Sequence, residues 1–234
     1  MDLHNPKEWE KYRDSIKEFV RNELDPLCEE IENTGKLPGD ILTKLASKKL
    51  LGLTIPREYG GEGLRFSQYW PILEEIAKSH GSFRLLVHGA NGIWRMIHNY
   101  GTAEQKQKYI PPVPKGQVYL GFALTEPGTG TGVDIKCTAV RDGDSYILNG
   151  KKHLISFSDY ANPFHVFAYT DKSLGKRGVT AFLLERSTPG FKMVDMPPTM
   201  GLKGSAHAEL IFENAVVPGT QLLGKLGEGL DIAF

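Results

Sequence analysis

Tyr119-Leu-Gly-Phe-Ala-Leu-Thr-Glu-Pro-Gly-Thr-Gly-Thr-Gly-Val-Asp134 is where one kind of sequence stops and another begins. Its first six residues are an apolar run that reads as a buried strand. The rest is a loop. Gly128, Gly130 and Gly132 can take positive φ and place no Cβ between backbone and ligand. Successive N–H groups in such a loop can form an anion-binding concavity. Thr125, Thr129 and Thr131 add hydroxyls that donate or accept. The combination suits a phosphate-bearing cofactor laid along the loop. A Gly-rich connection between strands with no ligand has the same composition. A nucleoside-triphosphate loop is excluded, because it needs Gly-Lys-Ser/Thr at its end and a helix after it. A dinucleotide fingerprint is excluded too, since the segment after the loop reads as another strand.

On the N-terminal side the apolar spacing is helical. Asn5-Pro6 offers an N-cap followed by proline at the first helical position. Trp9, Tyr12, Ile16, Phe19, Val20, Leu24, Leu27 and Ile31 then make one apolar face, which Pro26 should kink or divide. Pro38 is expected to open a second helix with Ile41, Leu42, Leu45 and Ala46 on one side and Gly52 as its stop. Ile55-Pro-Arg-Glu-Tyr-Gly-Gly-Glu-Gly63 is a shaped loop. Ser67 to Lys78 reads as a third helix. Ser82 to Asn99 is apolar on more than one face and reads as a single buried helix. Thr102-Ala-Glu-Gln105 is a capping box that starts a fifth, ended by Pro111, Pro112 and Pro114. Trp70 and Trp94 read as core.

On the C-terminal side the period shortens. Cys137 to Val140 and Ser145 to Leu148 are β-prone. Asn149-Gly150 signals a two-residue hairpin turn, with His153 to Ser156 as its return strand. Phe164 to Thr170, Val179 to Glu185, Phe191 to Val194 and Ala208 to Phe212 continue the series. Such short strands predict an antiparallel sandwich or barrel. The fold class is therefore α+β: an all-helical domain over residues 1–118, a β domain over 119–226, and over 227–234 the first turn of a further helix.

Composition narrows the function. The 234 residues carry 28 basic and 28 acidic side chains, which argues against a sequence-independent nucleic-acid binder. Cys28 and Cys137 have no metal or redox spacing and read as free thiols in a reducing compartment, the cytoplasm. No secretory signal is visible, and no apolar run approaches the roughly 18 residues of a membrane span. His88, His98, His153, His165 and His207 share no motif, so no metal site is expected.

Five stretches, in this order, resemble the acyl-CoA dehydrogenase family across essentially the whole chain. They are Pro56-Arg-Glu-Tyr-Gly-Gly-Glu-Gly63, Gly101-Thr-Ala-Glu-Gln-Lys-Gln-Lys-Tyr109, Thr125-Glu-Pro-Gly-Thr-Gly-Thr131, Gly150-Lys-Lys-His-Leu-Ile-Ser156, and Met200-Gly-Leu-Lys-Gly-Ser205 with Phe212-Glu-Asn-Ala-Val-Val-Pro218. The resemblance implies an N-terminal helical domain, a middle β-barrel domain and a C-terminal helical bundle, of which this chain resembles the first two. It implies FAD as cofactor and oxidation of an acyl-CoA thioester to the trans-2-enoyl-CoA. An electron-transfer flavoprotein is implied as acceptor, and a homo-oligomer, dimer or tetramer, as the complete form. Phe122, Ala123, Leu124, Thr125, Gly130 and Thr131 would line the flavin and its pyrophosphate. Thr125 would bond the pyrimidine edge, Thr131 would also touch substrate, Leu154 and Ile155 would pack beside the ring, and Ser156 would lie near flavin N5.

Some residues depart from the family pattern. Leu154 stands where an aromatic residue, typically tryptophan, is usual. Gly132 stands where an aspartate is usual, and one residue is missing near Asp134. Other acyl-CoA-type flavoenzymes, namely an oxidase, a desulfinase or a monooxygenase, share the pattern, as does a non-catalytic flavin- or CoA-ester-binding module. In the family the glutamate that removes the α-proton lies on the bundle, so no residue here is assigned as catalytic base, and Glu126 reads as turn-fixing. Residues 1–234 alone are accordingly expected to show no acyl-CoA dehydrogenation. An assay of that chain with excess FAD, acyl-CoA and an artificial acceptor checks this. Robust turnover would require a base within the chain, Glu126 or Glu209 first.

Overall fold

Helix α1 (Pro6–Phe19) begins as its sequence dictates: the Asn5 side chain accepts from the amides of Lys7 and Glu8, with Pro6 just inside. The continuation is not regular. A π-helical turn at Val20–Leu24 and a 3-10 turn at Asp25–Leu27 lead into α2 (Cys28–Thr34), so the pattern is divided at Pro26 as expected. The computed structural model that shows this describes residues 2–129 and 134–234. Helix α3 spans Ile41–Ser47, later than Pro38 suggested. The Pro38 carbonyl accepts from the Ile41 amide, so that proline shapes the turn before the helix. Lys49, at φ 64°, provides the stop expected of Gly52. Helix α4 is Phe66–Ala77, and α5 (Gly81–Gly92) and α6 (Trp94–Tyr100) replace the single expected helix.

The break between α5 and α6 coincides with a buried hydrogen-bond network. The Asn91 carbonyl accepts from the Thr54 hydroxyl at 2.6 Å and the Trp94 indole at 3.1 Å. The Asn91 side-chain amide donates to the Leu50 and Val87 carbonyls and accepts from the Thr54 backbone. This buried network ties the Leu50–Thr54 segment to α5 at the point where the helix yields. Trp94 is core, but Trp70 is 48% exposed on the outer face of α4, against the expectation. Helix α7 (Ala103–Tyr109) has its capping box formed: the Thr102 amide donates to Gln105 Oε1 and the Gln105 amide to Thr102 Oγ1.

Among the described residues eight strands come next: β1 (Tyr119–Ala123), β2 (Thr138–Asp142), β3 (Ser145–Ser156), β4 (Ala161–Tyr169), β5 (Val179–Leu184), β6 (Phe191–Asp195), β7 (His207–Pro218) and β8 (Leu222–Leu223). They form one sheet in the order β6-β7-β3-β2-β4-β5-β8, with β1 beside β4. The sheet is mixed. β1 runs parallel to β4, and Thr138 of β2 pairs in parallel with Tyr169, while the other ladders are antiparallel as expected. The β2–β3 hairpin lies between β1 and β4 in sequence and supplies the long connection a parallel pair requires. Buried His165 on β4 donates Nδ1–H to the Gly121 carbonyl at 2.9 Å, pinning β1 to it; burial pulls its pKa down to about 4 despite that bond. A final turn, α8 (Gly229–Ala233), matches the helical start expected over 227–234.

Asn149-Gly150 is not a hairpin turn. The turn is Gly143-Asp144, between paired Asp142 and Ser145, and β3 runs unbroken through Gly150. The ladder between β3 and β7 slips twice. Between Leu148 and Gly150 the extra residue belongs to β7, where Asn214 takes φ 52°; between Lys152 and Ile155 it belongs to β3, where Leu154 takes φ 56°. The two bulges cancel, so both 12-residue strands pair at both ends, Ser145 with Pro218 and Ser156 with His207. Asn149 clamps the first bulge, donating to Asn214 Oδ1 and accepting from its amide.

The chain divides into two compact units. One comprises the residues up to Trp94 with Gln107–Val118 and Pro198–Ala206; the other comprises Arg95–Lys106, Tyr119–Pro197 and His207–Phe234. A Cβ at Gly150, where φ is 135°, would meet Cys137 Sγ at 2.5 Å, whereas one at Gly143 would meet open space. Gly150→Ala is expected to lower unfolding free energy by about 3 kcal/mol through strain and overpacking. Gly143→Ala should lower it by about 1 kcal/mol. Urea unfolding of both variants measures the difference.

Candidate functional site

The loop after β1 is held at both ends by one carboxylate. Glu126, 3% exposed, lies 2.7 Å from Nζ of Lys152, whose side chain is fully buried on β3. The same carboxylate accepts from the backbone amides of Lys136 at 2.6 Å and Cys137 at 3.1 Å, where the chain returns from the loop. Lys152 donates in addition to the Leu124 carbonyl at 3.1 Å. Its neighbour His153 donates its backbone amide to the Thr125 carbonyl at 2.8 Å. Thr129 closes the turn with its hydroxyl on the Glu126 carbonyl at 3.0 Å.

The turn-fixing reading of Glu126 therefore holds. Burial raises its pKa, but the Lys152 charge and hydrogen bond, with the Lys136 amide and Cys137, outweigh this, leaving it below the usual 4.5. A buried, paired carboxylate with a lowered pKa is a poor proton acceptor. Glu209 is also engaged, 3.2 Å from Lys151 Nζ and 3.8 Å from His153 Nδ1. Cys137 lies beside the same carboxylate, and burial pushes its thiol up to about 12, so it is inert packing.

The residues singled out from the sequence fall into two groups. Ala123, Leu124 and Ile155 are buried packing residues, and Phe122 is half-buried edge-on to Phe167 at 5.5 Å. Thr125, Leu154 and Ser156 carry accessible surface. The Thr125 hydroxyl makes no hydrogen bond among the described residues. Leu154 is 45% exposed because the bulge turns it outward. Ser156 Oγ lies 3.2 Å from His207 Nε2. Gly130 and Thr131 lie outside the described residues. The structure joins Thr125 to the His153–Leu154 bulge through the backbone bond, three residues from Ser156.

The sequence reading assigns no role to two residues of this region, Lys152 and His207. Lys152 had a signal: Tyr146, Leu148, Lys152 and Ile155 are the buried positions of β3, and alternation from Tyr146 places residue 152 inward. His207 had none, because its partner is set by the cancelling bulges. Among the described residues no group of three His, Cys, Asp or Glu side chains could hold a metal. Nor is any of their helices long and apolar enough to cross a membrane. The site does fit a flavin in its donor set: a free hydroxyl at Thr125, an outward apolar face at Leu154 and a second hydroxyl at Ser156 border one strand edge. Flat aromatic rings with polar rims call for this mixture.

Comparison with known proteins agrees with this architecture. Residues 6–117 match the family model for the acyl-CoA dehydrogenase N-terminal domain, and residues 121–215 match that for the middle domain. The short-chain specific acyl-CoA dehydrogenase of Clostridium acetobutylicum is 34% identical over all of this chain and 62% of its own length. Acryloyl-CoA reductase (NADH) of Anaerotignum propionicum is 36% identical over all of this chain and 60% of its length. An acyl-CoA dehydrogenase from Bacillus anthracis, solved in complex with FAD, superposes with a TM-score of 0.86 at 32% identity, over all of this chain and 40% of that one. The chain belongs to the acyl-CoA dehydrogenase family, of which it carries the N-terminal and middle domains. It spans about 60% of the length of the two curated relatives.

Lys152→Met would leave the Glu126 charge buried without its partner, and is expected to remove about 3–5 kcal/mol of stability. Because folding lowers the Glu126 pKa, its contribution is fully present above pH 4.5 and is lost as pH falls through the folded value. Urea unfolding from about pH 6 down to pH 3 should show a shallower acid decline in Glu126→Gln than in the parent chain.

Proposed function

We propose that this chain holds FAD in an enzyme that oxidises an acyl-CoA thioester to the trans-2-enoyl-CoA. The observation that carries the reading is the hydrogen bond from the His153 amide to the Thr125 carbonyl. It brings the two segments that resemble the family's flavin-lining motifs to one strand edge. Bound there, the flavin supplies a hydride acceptor. This chain's own residues orient and shield it. Thr125 presents a hydroxyl to the pyrimidine edge, where a hydrogen bond favours the charge that develops on reduction. Leu154 packs on the ring and excludes water from one face, and Ser156 presents a hydroxyl near N5. Lys152 and Glu126 hold these groups in place and take no part in proton transfer. Thr131 would contact both cofactor and substrate.

The complete enzyme would take its α-proton with a carboxylate outside these 234 residues, pass electrons to an electron-transfer flavoprotein and act as a homo-oligomer. Free thiols at Cys28 and Cys137 suit a reducing compartment, and we assign it to the cytoplasm. The similarity to an NADH-dependent acryloyl-CoA reductase supports a second reading of the same site, run in the direction of enoyl-CoA reduction.

The test starts with FAD titrated into the purified chain. Binding is expected, with Thr125→Val and Ser156→Ala each weakening it about threefold to tenfold through one lost hydrogen bond. Unchanged affinity in both variants would refute the site. In the complete enzyme, anaerobic acyl-CoA should bleach the flavin. Bleaching with oxygen consumption on re-aeration marks an oxidase, bleaching by NADH that enoyl-CoA then reverses marks a reductase, and no bleaching marks a binding module.

A further inference from the structure

His207 opens β7, and its ladder partner is Ser156, the last residue of β3. The residue is 8% exposed, and its backbone carbonyl accepts from the Met196 amide at 2.9 Å, so the strand end that carries it is fixed. Nε2 stands 3.2 Å from Ser156 Oγ. The Ser156 side chain is half-buried, and this imidazole is its hydrogen-bond partner among the described residues. A serine hydroxyl has one proton and a freely turning O–H bond. The direction of that bond is therefore decided by what His207 offers. With Nε2 unprotonated, the imidazole accepts, and Ser156 is left with lone pairs for any further partner. With a proton on Nε2, the imidazole donates, and the Ser156 O–H is released to donate outward.

We propose that His207 is a positioning residue for the cofactor site: it sets whether Ser156 presents a donor or an acceptor to the ring beside it. The assignment rests on the cofactor reading above, in which Ser156 faces flavin N5. The oxidised ring carries an acceptor at that nitrogen and the reduced ring a donor. A hydroxyl with an adjustable partner serves both states without moving a heavy atom. Valine or alanine at 207 would leave the hydroxyl free to turn, and a fixed donor such as lysine would hold it in one sense only. The two cancelling bulges of β3 and β7 bring the pair opposite each other, so the contact is built by the fold and does not depend on a flexible side chain reaching across.

Two measurements on the full chain test this. The first needs no cofactor. Long-range proton–nitrogen NMR reports the imidazole nitrogens, and the His207 Nε2 resonance is expected to shift in Ser156→Ala; an unchanged resonance would overturn the contact. The second uses FAD. His207→Phe, which keeps the bulk and loses the nitrogen, is expected to weaken FAD about threefold to tenfold and shift its visible absorption band. His207→Gln, which can donate or accept, should stay within about twofold of the parent chain. In a Ser156→Ala background His207→Phe should add less than about twofold, since it acts through that hydroxyl. Equal losses in both backgrounds, or no loss in either, overturn the assignment; the glutamine variant decides the matter if phenylalanine impairs folding. A chain that binds no FAD at all overturns the cofactor reading, and this assignment with it. A chain that binds FAD with His207 variants indistinguishable from the parent overturns this assignment alone.

Discussion

A lysine and a glutamate with almost no access to water hold together the edge of the β unit that carries Thr125 and the β3 bulge. Removing two charges from water is unfavourable by several kcal/mol each, so the Glu126–Lys152 pair exists only because its hydrogen bonds are nearly all filled. The carboxylate takes two backbone amides as well as the ammonium, and the ammonium takes a carbonyl as well as the carboxylate. Those extra bonds are what make the pair structural. They connect β1, β3 and the approach to β2, three pieces of chain that no single ladder joins. With this anchor in place, the loop following Thr125 leaves and re-enters the sheet at fixed points.

The helical half was readable because its signals are local. Asn5-Pro6, Pro26 and the Thr102 capping box each act within four residues, and each stands in the structure where its chemistry put it. Several readings that failed needed partners outside their own stretch of chain. Asn149-Gly150 has the right residues for a turn, but Asn214 and Cys137, both far along the chain, make it the inside of a ladder slip instead. Trp70 is apolar enough for a core, but the periodicity of α4 puts it on the outer side, stacked 5.7 Å from Phe66. The break at Ile93 depends on Thr54 reaching back to Asn91. The parallel setting of β1 is invisible to alternation, which reports faces and says nothing of strand direction.

The site divides in the same way. Thr125, Leu154 and Ser156 could be named from their motifs, and the structure brings their segments together. Glu126 is readable as a turn residue, but its buried partner is not, because a lysine in a strand ordinarily faces solvent. His207 follows from arithmetic rather than chemistry: only after both bulges are counted does it stand opposite Ser156. Position along a motif names the candidate residues, and pairing across the sheet shows what each one touches.

That arithmetic has a consequence for how the β unit can vary. Strands β3 and β7 each contain 12 residues, and each contains one residue that the other must absorb. A single insertion or deletion in either strand would shift every later pair by one and turn Ser156 or His207 to the opposite face. Length changes inside this ribbon are tolerable only as matched events in two stretches of gene some sixty codons apart, as the spacing of Leu148 and Phe212 shows. The hairpin at Gly143-Asp144 lies beyond the laddered ends, where the Gly219 amide donates to the Asp144 carbonyl at 2.7 Å. Residues added at that tip ahead of Asp144 would leave the ribbon behind it with its count unchanged.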